Sequence, residues 1–225
     1  MRILLFGATG MVGQGVLREC LLASDVDEVV AIGRSPSGAS HPKLRDLVHA
    51  DLFDFQAIES QLTGFDACFF CIGVTSFRMD EATYTHLTYD MTLAAASTLV
   101  RLNPGMSFVY VSGAGADSSE AGKTMWARVR GRTENALARL SFRHVHAIRP
   151  GVIQPRHGAR SRTRAYRMIY PVFAPVLPLF RTLMPHSVAT TETIGRALLA
   201  LARHGYPKTI LETRDIEEVA RKATG

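Results

Sequence analysis

A doubly wound parallel α/β sheet of about seven strands, covered by helices on both faces, is the fold predicted by three observations. Short apolar runs alternate with longer stretches of helical periodicity along most of the chain. One run, Ala67–Ile72, is apolar at every position, as a strand buried on both faces must be. The length of 225 residues and the 47% hydrophobic composition suit one large domain with a full core, and exclude a disordered or fibrous chain.

Each element has its own warrant. Ile3–Phe6 is a buried strand, and Met11–Leu22 sets Val12, Val16 and Cys20, with Leu17 and Leu21, at helical spacing. Glu28–Ile32 is the second strand, Leu47–Ala50 a short third and Ala67–Ile72 the fourth. Asp80–Leu102 reads as one long helix with a stripe at Tyr84, Leu87, Met91, Ala94, Thr98 and Leu102, stopped by Asn103-Pro104-Gly105. Ser107–Ser112 is the fifth strand, Gly122–Leu140 a helix and Val145–Ile148 the sixth strand. After a proline-broken apolar stretch, Thr191–Arg203 is a helix entered through threonines and closed by Gly205. Thr209–Leu211 and Asp215–Lys222 add a final strand and helix. With no internal repeat or low-complexity linker, residues 1–225 are expected to form one domain.

Parallel sheets of this kind bind ligands at the carboxyl ends of their strands, where the strand order reverses. The first strand-to-helix turn reads Gly7-Ala8-Thr9-Gly10-Met11-Val12-Gly13, a G-x-x-G-x-x-G pattern. Its first glycine permits the tight turn, its second lets the backbone approach a pyrophosphate, and its third lets helix and strand pack closely. The helix N-terminus then offers N–H groups and a favourable dipole to phosphate. Placed between the right strand and the right helix, the pattern predicts a dinucleotide-binding Rossmann domain. Where NAD proteins often carry an acid at the end of the second strand, this chain has Arg34. An arginine there pairs with a 2′-phosphate, so NADP(H) is expected in preference to NAD(H).

From these residues the chain resembles an atypical short-chain dehydrogenase/reductase, the group with epimerase-like, NmrA-like and Tat-interacting-protein-like members. Further matches are Asp51-Leu52 after the third strand, Cys71-Ile72-Gly73-Val74 after the fourth, Ser112 ending the fifth, and Arg149-Pro150-Gly151 ending the sixth. The resemblance implies a cofactor site formed by Gly7, Thr9, Gly10, Met11, Val12, Gly13, Arg34, Asp51, Leu52, Ile72, Gly73, Val74, Arg130, Pro150, Gly151 and Val152, with Asp51-Leu52 at the adenine. It also implies a serine followed by Tyr-x-x-x-Lys, in which the tyrosine handles a proton and the lysine lowers its pKa and holds the ribose. Here Ser112 is kept, but Trp126 stands at the tyrosine and Arg130 at the lysine. Arginine can still bond a ribose or phosphate. An indole cannot serve as a general acid or base near neutrality.

Two functions of different class follow. One is an NADP(H)-dependent oxidoreductase or nucleoside-diphosphate-sugar epimerase-like enzyme on a small anionic substrate, with Ser112, Trp126 and Arg130 lining its site. The other is a non-catalytic NADP(H)-sensing protein. Substitute acids are Tyr84, His86 and Tyr89 early in the long helix, and His157, Tyr166 and Tyr170 after the sixth strand. Trp126 either packs in a filled cleft or stacks on nicotinamide or substrate.

The net charge is +6, but Lys123 to Arg167 holds twelve basic residues against the single acid Glu134, and the remainder is net acidic. Such a stretch suits phosphates or carboxylates, though a GC-rich genome would also favour arginine. Residues 156–185, with five arginines followed by a proline-rich apolar run, form a substrate lid, a membrane-surface contact or a homodimer face. No nucleic-acid-binding motif accompanies the charge. No stretch resembles a signal peptide or a spanning helix, so a cytoplasmic protein is expected. Cys68 and Cys71 have C-x-x-C spacing, yet three residues apart on a strand they face opposite ways, so neither a disulfide nor a metal site is expected. His144 and His146, on the sixth strand, read as structural.

Overall fold

The computed structural model describes residues 1–159 and 188–222. Seven strands form a fully parallel sheet in the order β3-β2-β1-β4-β5-β6-β9. They are β1 (Arg2–Phe6), β2 (Glu28–Gly33), β3 (Leu44–Val48), β4 (Ala67–Phe70), β5 (Ser107–Val111), β6 (His144–Arg149) and β9 (Ile210–Glu212). A separate parallel pair joins β7 (Val152–Gln154) to β8 (Val188–Thr190). The sequence reading missed this pair, because three-residue strands carry too little periodicity to register.

Alternation along each strand sends side chains to two cores. Ile3, Leu5, Val29, Ala31, Phe69 and Val109 face one core, with α1 (Met11–Leu22), α5 (Thr191–His204) and α6 (Thr213–Lys222) over them. Leu4, Phe6, Val30, Ile32, Cys68, Phe70, Phe108 and Tyr110 face the other, closed by α3 (Met91–Leu102) and by Ile58 and Leu62 of a short 3₁₀ segment. Cys68 and Cys71 do part to opposite faces, with Cys68 in the second core and Cys71 against the first. Caps follow the chemistry of the ends. The Thr190 hydroxyl accepts from the Thr193 N–H at 2.9 Å to start α5, and Gly205, at φ +63, ends it.

Two expectations shift. β3 runs over Leu44–Val48 rather than Leu47–Ala50, because it pairs in register from Val29↔Leu44 to Gly33↔Val48. The long helix is interrupted: α2 (Glu81–Thr85), capped by Asp80, passes through a π-helical turn, His86–Asp90, into α3. The wider turn moves the buried face on by about one residue. Tyr84 and Met91 are buried as expected, but Thr88, Thr92, Ala95, Ala96 and Leu99 replace Leu87, Ala94, Thr98 and Leu102 as its innermost residues. π turns of this kind are frequent near functional sites. Residues 160–187 contain most of the lid assigned to 156–185, including Tyr166 and Tyr170, and lie outside the described residues.

Candidate cofactor and active site

The reversal in strand order falls between β1 and β4, and the glycine turn sits at its carboxyl edge. Gly7 has φ +82, a left-handed conformation that favours glycine. A Cβ there would lie 2.8 Å from both the carbonyl carbon and the oxygen of Cys71, so the turn is pressed against the end of β4. At Gly13, a Cβ would overlap the Gly7 carbonyl. Only a glycine lets α1 begin this close to β1. Gly10 caps α1 without contributing a side-chain acceptor, which leaves the first-turn N–H groups around Met11, Val12 and Gly13 facing outward from the helix end. Thr9 supports the turn through its carbonyl, which accepts from the Gln14 side chain at 3.0 Å.

The other predicted contacts sit along the same carboxyl edge. Arg34 is exposed immediately after β2, and no ion pair holds it among the described residues. Asp51 is exposed beyond β3, its carboxylate accepting from the Phe53 N–H at 2.8 Å, and Leu52 packs into the second core. Ile72, Gly73 and Val74 continue from β4.

Beyond them lies a solvent-open cleft of about 530 Å³, whose walls include Val74, Ser112, Trp126, Arg130, Pro150, Gly151 and Val152. Strand ends and a helix start build it together. Ser112 follows β5, its N–H donating to the Ile148 carbonyl at 2.9 Å, while the Ala114 N–H donates to the Pro150 carbonyl at 3.0 Å. The Ser112 hydroxyl is buried and has no hydrogen-bond partner among the described residues. Such an orphan usually marks a missing ligand or water. Trp126 and Arg130 lie on α4 (Met125–Ala138), one turn apart on one face. The indole lines an open cleft and rests over Gly115, so it does not fill the cavity. The Arg130 guanidinium reaches between the loops after β4 and β5, close to Gly73 and Gly113.

Tyr84 completes the floor. It is 1% exposed, yet it lines the cleft, and its phenol oxygen accepts from Arg130 Nε at 3.0 Å. Sequence reading grouped Tyr84 with His86 and Tyr89, but the structure separates the three. His86 stacks on Phe53 and bonds Asp90, and Tyr89 lies under the Arg132 guanidinium at 4.3 Å. His157 bonds Glu192 at 3.0 Å beside a different pocket, between α1 and α5. Ile153, of the unpredicted β7, also lines the cleft.

Within the basic stretch, several of the described arginines are engaged by the protein itself. Arg149 is buried, gripping Glu134 through Nε and Nη2 at 2.5–3.2 Å and reaching Ser118 and Glu212. Arg128 pairs with Glu81, and Arg132 covers Tyr89. These arginines tie α4 to its neighbours, and Arg130 is the one on that helix lining the cleft.

Comparison with known proteins agrees with this geometry. A family profile described as NAD(P)H-binding matches residues 7–147. The rat protein HTATIP2 is 25% identical over 154 residues, 67% of this chain and 62% of that protein, so the chain spans under two thirds of its length. The mitochondrial protein fmp52 of Emericella nidulans is 26% identical over 206 residues, 87% of this chain and 84% of the relative. In fold, the Bordetella bronchiseptica enzyme WbmF in complex with NAD+ superposes with a TM-score of 0.67 at 16% identity, covering 99% of this chain and 77% of that one. A short-chain dehydrogenase family protein from Francisella tularensis gives 0.66 at 17% identity, covering 96% and 98%. MoeE5 in complex with UDP-glucose and NAD gives 0.65 at 16% identity, covering 94% and 75%. With the profile spanning more than half its length and the glycine cradle in place, the chain belongs to the NAD(P)H-binding family, as an atypical short-chain dehydrogenase/reductase-like Rossmann protein.

Proposed function

We propose that this protein is an NADP(H)-dependent oxidoreductase of the short-chain dehydrogenase/reductase type, acting on a small substrate held beside Ser112. One observation carries the reading: the glycine cradle and an open cleft with an unpartnered buried hydroxyl lie along one carboxyl edge of the sheet. Gly7, Gly10 and Gly13 would hold the pyrophosphate, Arg34 the 2′-phosphate, and Asp51 and Leu52 the adenine. Ile72, Gly73, Val74, Arg130, Pro150, Gly151 and Val152 would border the ribose and nicotinamide. Bound there, the cofactor supplies or accepts a hydride. Ser112 offers a hydrogen bond to a carbonyl oxygen, and Arg130 a positive charge that suits an anionic substrate. The nucleotide-sugar reading rests on the fold shared with MoeE5, solved with UDP-glucose and NAD.

Trp126 favours a second reading, in which cofactor is bound and sensed without turnover, because the family's proton-handling tyrosine is replaced. Trp126 is also the single tryptophan of the chain, which makes the test direct. NADPH titrated into the protein should quench the indole emission saturably, and more tightly than NADH does. An unchanged emission together with no calorimetric heat would defeat both readings. Equal affinity for the two cofactors would defeat the NADP(H) assignment alone.

A further inference from the structure

Proton transfer is the gap in the site: the indole of Trp126 replaces a phenol, and the Ser112 hydroxyl is too weak an acid to act alone. Among the described residues, one phenol lines the cleft. Tyr84 arrives from α2, an element distinct from the one that carries the family's tyrosine, and its oxygen receives the Arg130 Nε–H at 3.0 Å. We propose that Tyr84 is the general acid of this site, with Arg130 as its positioning residue, so that the acid and its cationic partner are split between two helices. The proposal rests on the reductase reading above.

Three observations support it. The Arg130 bond uses an oxygen lone pair of Tyr84 and leaves the phenol hydrogen free to be donated. Asp80 fixes α2 by accepting from the Thr83 N–H at 2.8 Å, and the π-helical turn follows directly, so Tyr84 is held from both sides. The neighbouring phenol, Tyr110, is not placed to act: it faces the second core rather than lining the cleft, and burial pushes its pKa up to about 12, partly offset by the Arg130 charge.

The step balances as a carbonyl reduction. Bound reduced nicotinamide would supply a hydride to the substrate carbon, opening the C=O π bond. The substrate oxygen takes the Tyr84 proton, forming its O–H bond as that of the phenol breaks. The tyrosinate left behind faces the Arg130 guanidinium and is reprotonated by water entering the open cleft. In the oxidation direction each transfer reverses.

The test uses the full chain, NADPH and a panel of aromatic aldehydes and α-keto acids, following absorbance at 340 nm and, separately, Trp126 quenching by NADPH. Tyr84→Phe keeps the ring that fills its site, and should lower kcat at least a hundredfold while NADPH affinity moves less than twofold. Arg130→Met should lower kcat at least tenfold and shift the pH profile, and Arg130→Lys should restore part of both. Turnover of Tyr84→Phe within threefold of wild type overturns the proposal. So does binding of NADPH by the wild type with no reduction of any panel member. Should Tyr84→Phe fail to fold, a fall in kcat for Arg130→Met with an unmoved pH profile overturns the pairing. Loss of NADPH quenching in the wild type instead overturns the cofactor reading on which the proposal stands.

Discussion

The two halves of the candidate site are made from different material. Around α1, the ligand-facing surface is backbone: a left-handed Gly7, a Gly13 pressed against the Gly7 carbonyl, and the first-turn N–H groups of a helix. Around α4, it is side chain: Ser112 after β5, Arg130 and Trp126 on the helix, and Tyr84 from α2. A backbone site tolerates almost no added atom, because its shape is set by how close two chains approach. A side-chain site can keep its geometry while exchanging which residue does what, as the proposed acid Tyr84 on α2 would illustrate.

Substitutions should therefore act differently on the two halves. The largest effect is expected for Gly13→Ala, whose methyl would meet the Gly7 carbonyl. It should weaken NADPH and NADH alike by a hundredfold or more, read by Trp126 quenching, whereas Tyr84→Phe should weaken neither. If NADH binding survives Gly13→Ala, the cradle is not where the pyrophosphate sits. Next in size is Glu134→Ala. Glu134 is 2% exposed and Arg149 9%, and removing one partner of a buried pair costs about 3 kcal/mol because the other charge is stranded. Urea unfolding should show that loss, with much of it recovered in a Glu134→Leu, Arg149→Met double variant. A loss below about 1 kcal/mol would mean that Glu212 and Ser118 suffice to hold Arg149.

A smaller, selective change is expected at the adenosine end. Arg34 is exposed, so Arg34→Ala should leave folding and NADH binding unchanged and raise the NADPH Kd about tenfold, as loss of one charge-assisted contact to phosphate would. An unchanged ratio of NADPH to NADH affinity would remove Arg34 from the site.

The smallest effect is one of pH. Burial holds His146 below the ordinary histidine value, partly opposed by its bond from Nδ1 to the Lys208 carbonyl at 3.0 Å. Its Nε2 is buried without a partner among the described residues. The unfolded chain takes up a proton below about pH 6.5 where the folded chain resists it, so stability should fall as pH drops through that value. Thermal unfolding from pH 7.5 to 5.5 should show a decline that His146→Gln lessens by less than about 1 kcal/mol. An identical slope in the variant would assign the decline to other groups.

How much was legible in the sequence follows the same division. The main strands, the glycine turn and its partner helix could be read directly, because each rests on local spacing: alternating or continuous apolar residues, and glycines three apart. The stop at Asn103-Pro104-Gly105 and the threonine entry to α5 are local in the same sense. The wide turn at His86–Asp90 could not be read, since a periodic stripe gives no sign of one extra residue in a helix. Nor could the three-residue pair β7–β8, whose strands meet only because the rest of the chain has folded.

What the sequence alone determined is the α/β order, the glycine turn and the presence of Trp126 four residues before Arg130, all consequences of which residues stand a few positions apart. Tertiary structure decided the rest. It placed Tyr84 against Arg130, 46 positions away, chose Tyr84 over His86 and Tyr89, and withdrew Arg149 into a pair with Glu134. Helix register and strand-end packing set those contacts, and each depends on a whole element's fit against the sheet rather than on its neighbours in sequence.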